Sequence, residues 1–353
     1  MNETIQNPFN ITFGKYPTEA IQRYDIFEKI ITSFNNTQSG TPIYILVGAR
    51  GSGKTVTMTS IANYYKNNSD WLVVDLNPHQ DLLEQLAASI YQKGKLQKLF
   101  VQKEFSFSFR GLSFSLTGNV PVSNVNSLLD IMFEYLKRKN ISVLITIDEA
   151  NNNEYMRVFS HSFQSFLRQG YLVDLLMTGL YENISSLENE KSLTFLYRAP
   201  KIYMPPLNIR SITYSYMELL HMSEDEAIEA AKVTKGYAFA YQLLGYILFE
   251  KEKRVVDTAV LKEFDLALDE KSYSKIFSEL TPKEKQIVLS VANGASLNSE
   301  IIDEVGIKPN SLAVYKQTLF KKGIIDISER GKMSFALPRF KEFVLFQYKT
   351  LEE

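Results

Sequence analysis

The chain has 353 residues, a length suited to two or three domains, with 39 Lys and Arg against 40 Asp and Glu and a formal net charge of −1. Hydrophobic residues at 45% and charged ones at 22% exclude disorder as the main state, and the charge balance gives no whole-chain signal for an acidic or basic partner. Zero cysteine excludes disulfides, thiolate metal sites and cysteine nucleophiles, and three histidines argue against a His-rich zinc site.

No run approaches the roughly 18 apolar residues that a membrane span needs. The first residues lack the basic and apolar regions of a signal peptide, so the expectation is a soluble cytoplasmic protein without membrane contact.

In chain order, Asn7-Pro8-Phe9 and Tyr16-Pro17 punctuate a loop, and apolar spacing then predicts a helix over 18–34. The run 43–47 is a buried strand ending at Gly48, and a helix is expected over 55–66. A second strand covers 71–76 and a helix 81–92. In 105–116, Phe and Leu alternate with Ser on both sides of Gly111, the pattern of a hairpin. Such a hairpin either packs on its own domain or contacts a partner.

Further on, 126–137 is helical, 143–147 is a strand ending at Asp148-Glu149, 159–169 is helical and 171–177 is a strand ending at Thr178-Gly179. A short strand, 202–204, precedes Pro205-Pro206. Strands alternating with helices predict an α/β fold with a mainly parallel sheet. After Pro206 the pattern is helical, with a capping box at Ser223 and Glu226 and helices over 236–249 and 257–268. Thr281-Pro282-Lys283-Glu284 opens a last unit of helices over 282–292, 299–305 and 310–322, with Gly323 as the stop. Strands over 324–327 and 333–337 follow, and three helices with a hairpin make a winged helix-turn-helix.

The segment Gly48-Ala49-Arg50-Gly51-Ser52-Gly53-Lys54-Thr55 fits G-x-x-x-x-G-K-[ST] in full, with a strand before it and a helix after. Its glycines let backbone amides turn inward around phosphate oxygens, and the helix N-terminus adds the positive end of its dipole. Lys54 is the candidate for the β- and γ-phosphates and the Thr55 hydroxyl for Mg²⁺, with Val56 completing the nucleotide-binding segment. The strand ending at Asp148-Glu149 delivers two carboxylates to the edge where ligands bind in such sheets. Asp148 is the candidate Mg²⁺ ligand and Glu149 the residue that orients the attacking water. ATP and Mg²⁺ are therefore the expected cofactors.

With these motifs the chain resembles AAA+ or STAND-type P-loop ATPases that carry a C-terminal winged helix, and among them prokaryotic origin-recognition-like initiator ATPases. The resemblance implies a P-loop core over 1–206 with a hairpin insertion near 104–117, a helical lid over 207–279 and a winged-helix domain over 280–353. It also implies that Thr178 senses the γ-phosphate, where many members carry Asn. Arg198 stands where the family often places an arginine finger toward a neighbouring subunit, which implies a homo-oligomer; a local salt bridge is the alternative. Arg23 matches the segment that lines the adenine pocket. In the lid, Gly236-Tyr237-Ala238-Phe239 carries Phe where initiators have arginine, closer to the G-x-P of STAND switches with Ala238 in place of Pro. Slow hydrolysis and a switch role follow from that departure.

Between Gly306 and Arg339 seven basic residues face two acidic ones, an excess of five positive charges, which suits phosphate attraction. Lys308, Asn310, Ser311, Tyr315 and Lys316 near the recognition helix, and Arg330 and Lys332 at the wing, are the candidates for duplex DNA. The alternative is a regulatory or defence ATPase whose nucleotide state controls self-assembly and whose winged helix docks protein.

Overall fold

The computed structural model describes residues 6–12, 17, 19–36, 40–93, 105–109, 112–119, 125–190 and 193–349. They fall into two compact units, one made of Tyr24–Leu46 and Thr57–Ile202 and the other of Met1–Arg23, Val47–Val56 and Tyr203–Glu353.

The first unit is α/β. Strands β1 (Ile43–Val47), β2 (Trp71–Leu76), β5 (Ser142–Ile147), β6 (Val173–Gly179) and β7 (Lys201–Tyr203) form one sheet in the order β2-β5-β6-β1-β7. β5 pairs in parallel with β2 and with β6. β1 and β5 are buried along their whole length, which is why they appear as unbroken apolar runs rather than alternating ones. Helices α1 (Tyr24–Asn35), α2 (Lys54–Lys66), α3 (Leu82–Lys93), α4 (Val125–Arg138) and α5 (Glu154–Arg168) make the connections.

Two helix starts differ from the sequence reading. α1 begins at Tyr24 rather than 18, a position outside the described residues. α5 begins five residues before 159, because the Asn153 side chain accepts the Met156 N–H and caps the helix there. Helices α6 (Tyr181–Glu188) and α7 (Thr194–Arg198) carry little periodic signal and were not expected. Strands β3 (Phe105–Phe109) and β4 (Leu112–Asn119) form a separate antiparallel pair with Phe107 opposite Phe114. Residues 104, 110 and 111 of the expected insertion lie outside the described residues.

The second unit is mostly helical: α8 (Ile209–Leu220), α9 (Glu224–Thr234), α10 (Ala238–Glu250), α11 (Thr258–Leu268), a π-turn over Asp269–Tyr273 and α12 (Ser274–Ser278). Then come α13 (Pro282–Asn293), α14 (Asn298–Val305) and α15 (Pro309–Lys321), within a residue or two of their expected spans. Both expected capping boxes form, at Ser223 with Glu226 and at Thr281 with Glu284. Gly323 takes φ +76°, as the glycine after α15 requires. The two strands that follow shrink to Ile325–Asp326 (β8) and Ser334–Phe335 (β9), an antiparallel pair, and α16 (Phe340–Lys349) closes the unit.

One hydrophobic cluster runs through this unit from Phe9 to Val344. Phe9, 2% exposed, lies edge-on to Tyr216 and Tyr241 in a notch at Gly245, where a Cβ would meet its ring at 2.5 Å. The Asn10 N–H donates to Gln242, whose amide donates to the Glu19 carbonyl, so the N-terminal segment is strapped along α10. No helix among the described residues is long and apolar enough to cross a membrane.

Candidate functional site: a phosphate loop and an acidic strand end

The glycine loop follows β1 and leads into α2, which starts at Lys54. Gly51 and Gly53 adopt φ +70° and +87°, conformations that side-chain-bearing residues rarely take. The Lys54 ammonium lies across the loop and donates to the carbonyls of Gly48 (2.9 Å) and Ala49 (2.8 Å). Two donors in the loop, Ser52 Oγ and Arg50 Nε, are buried without a hydrogen-bond partner among the described residues. Buried polar atoms of this kind call for an acceptor, and phosphate oxygens supply one, so the loop fits the phosphates of a nucleotide.

The loop is gripped by its own unit. The Phe239 N–H donates to the Gly51 carbonyl at 3.0 Å. The Tyr237 hydroxyl donates to the Arg50 carbonyl and shares a 2.9 Å hydrogen bond with Ser272 of the π-turn. The Arg50 guanidinium pairs with Glu279 at 3.0 Å. A Cβ on Gly323 would touch Ala49 at 3.4 Å, so the end of α15 also reaches the loop. Arg23 donates to the carbonyls of Ser52 (2.8 Å) and Pro205 (3.1 and 3.2 Å), and burial lowers its pKa to about 10. Arg23, which the resemblance places in the segment lining the adenine pocket, thus meets the loop backbone and Pro205. Nothing local in the sequence marks the reach of Tyr237 and Glu279 to Arg50, across 187 and 229 residues.

In the α/β unit, Asp148 and Glu149 follow β5, and Thr178, the penultimate residue of β6, lies beside them. The Thr178 hydroxyl donates to Asp148 and accepts the Glu149 N–H at 3.2 Å. The Glu149 N–H also reaches Asp148 Oδ1 at 3.1 Å. Glu149 takes φ +54°, a left-handed turn that exposes it to solvent. Within β5, Thr146 donates to Asp75 of the adjacent strand β2 at 2.9 Å. Arg198 is exposed at the end of α7 and makes no ion pair among the described residues.

The C-terminal candidates divide. Lys308, Asn310 and Arg330 are exposed, and Ser311 and Tyr315 are half-buried. Lys316 instead donates inward to Asn298 (3.1 Å) and to the Lys332 carbonyl (2.7 Å), and burial pulls its pKa down. Lys332 pairs with Glu329, Lys322 with buried Glu284, and Arg339 with Asp265 and Glu342. Three of those acids, Glu284, Asp265 and Glu342, lie outside the stretch in which the excess was counted, so much of the expected positive charge is neutralised within the fold.

A family model described as the res subunit of type III restriction enzymes matches residues 14–179, and one for a domain of unknown function matches residues 270–344. No curated protein matches the chain. Among solved structures, a Walker-type ATPase of Pyrococcus abyssi is 16% identical, with 92% of this chain and 97% of that chain covered and a TM-score of 0.59. The Aeropyrum pernix ORC2 protein, in its ADPNP–ADP complexes, is 14% identical with 97% and 98% covered and a TM-score of 0.53. Cdc6p from Pyrobaculum aerophilum is 16% identical with 97% of each chain covered and a TM-score of 0.50. The chain has the fold of these P-loop ATPases.

Proposed function

We propose that the chain is an ATP-binding P-loop ATPase working as a nucleotide-dependent switch. The observation that carries this reading is the grip on the phosphate loop. Residues 50–52 are held by Phe239, Tyr237, Glu279 and Arg23 of one compact unit that also contains the C-terminal helices. A phosphate that reshapes this loop acts directly on those contacts, and that differential contact is what a switch requires.

In this reading the backbone of Gly48–Gly53, the Ser52 hydroxyl, Lys54 and Val56 hold the triphosphate. Thr55 and Asp148 hold Mg²⁺, which when bound neutralises charge on the β- and γ-oxygens. Glu149 orients the attacking water, and exposed Arg198, with no ion pair among the described residues, is suited to reach a second copy. Replacing Glu279 by Gln removes the charge partner of Arg50 and loosens the unliganded loop. Both groups are about one-third exposed, so the pair is worth at most about 1 kcal/mol. Titration with a fluorescent ATP analogue is expected to show affinity rising about three- to fivefold. Unchanged affinity would uncouple the C-terminal helices from nucleotide.

For output, the reading assigns duplex DNA to the C-terminal unit through Lys308, Asn310, Ser311 and Arg330. A second reading, protein docking, is favoured by the internal pairing of Lys322, Lys332 and Arg339 and by the exposure of Val314 on α15 (65%). Fluorescence anisotropy with a generic duplex at low salt separates them. Salt-sensitive binding that Arg330→Ala weakens severalfold supports DNA, and no binding leaves protein docking as the output.

A further inference from the structure

We infer that Thr178 is a positioning residue for the acidic pair and acts through Asp148 and Glu149 rather than on phosphate. This rests on the reading of those two carboxylates given above.

Thr178 is fully buried and has one hydroxyl proton, which it gives to Asp148. Its oxygen accepts the Glu149 N–H, and its carbonyl accepts the Ala150 N–H at 2.8 Å. Three consecutive residues, 148 to 150, are therefore tied to this one threonine. The middle one is held left-handed, at a cost of about 1–2 kcal/mol for a residue with a Cβ. Strain of this kind persists where neighbouring bonds over-determine it. The register explains the arrangement: Ile147 lies opposite Met177, so the next residue on each strand is Asp148 and Thr178.

A hydroxyl engaged as donor and acceptor inside the protein must break one of those bonds to reach a phosphate. Redirecting the proton removes the Thr178 bond to Asp148, and moving the oxygen removes one of the two bonds on the Glu149 N–H. Thr178 thus sets the direction in which the two carboxylates face, and its contribution appears in turnover rather than in nucleotide affinity.

Thr178→Val keeps the shape and removes the hydroxyl, whereas Thr178→Ser keeps the hydroxyl. The Val variant is expected to lower kcat for ATP about tenfold with KM within twofold, and the Ser variant to stay within about threefold of wild type. The ratio of affinities for a non-hydrolysable ATP analogue and for ADP is expected to stay constant. If Val erases that ratio, Thr178 touches phosphate and the inference is overturned; equal loss in Val and Ser overturns it as well. A wild-type protein without ATPase activity would remove the reading of function alone, because a nucleotide-free measurement still decides. Hydrogen exchange at the Glu149 amide is expected to quicken about tenfold in Val and recover in Ser, and unchanged exchange in Val overturns the inference.

Discussion

Lys54→Ala is expected to abolish measurable ATP binding, lowering affinity about a hundredfold. The lysine is the first residue of α2 and the ammonium of the loop. A hydrogen bond to a charged group contributes about 1.5–3 kcal/mol, and 2.7 kcal/mol corresponds to about a hundredfold. Alanine leaves the backbone amides and the dipole of α2 in place, so the loss isolates the ammonium. Titration with fluorescent ATP measures it, with thermal unfolding as the control for folding. Wild-type affinity in a folded Lys54→Ala protein would refute the phosphate-loop assignment.

Asp174→Asn is expected to stabilise the protein, and to do so more at pH 9 than at pH 5. Asp174 lies on β6 opposite Leu144, and burial raises its pKa from 3.8 to about 8. It in turn helps push the neighbouring Tyr65 phenol upward. The folded state therefore holds the proton more tightly than the unfolded chain. The stability contributed by this protonation is complete below about pH 4, declines as pH rises through the interval, and is gone above about 8. Asparagine is neutral throughout, so the advantage of the variant opens across that window and then levels off. Four pKa units correspond to about 5 kcal/mol as an upper bound, and relaxation around the carboxylate brings the expectation to about 2 kcal/mol. For a chain of 353 residues, with an unfolding entropy of about 0.7 kcal/mol/K, that is a rise in Tm of roughly 3 °C at pH 9. Calorimetry at the two pH values checks it, and an equal difference at both would disprove the buried carboxylate.

The phosphate loop and acidic strand are legible in the sequence because their chemistry is written in adjacent residues. β1 and β2 occupy their expected spans for a related reason: short apolar runs bounded by glycine or polar residues admit few alternatives. The helix Ile209–Leu220 is different. Its Ile, Thr and Tyr residues favour strands as much as helices, and the packing of Ile212 and Tyr216 into the core decides the outcome. The internal partners of the basic C-terminal residues are hidden by distance along the chain. Lys322 finds its acid 38 residues away and Arg339 finds Asp265 74 residues away, beyond the reach of any local count. The same holds for Arg50 and Glu279, separated by 229 residues, whose contact no pattern within the loop announces.

The boundary between the two compact units crosses β1 and α2 on either side of the loop, so the glycine loop is assigned to the unit that also holds residues 203–353. Ending expression at the last core strand therefore does more than remove an appendage. A polypeptide stopping at residue 202 keeps the whole glycine motif but loses Pro205, Tyr237, Phe239 and Glu279. Nucleotide affinities measured on such a fragment describe a loop with different neighbours, and would misstate both the strength and the reversibility of binding in the full chain.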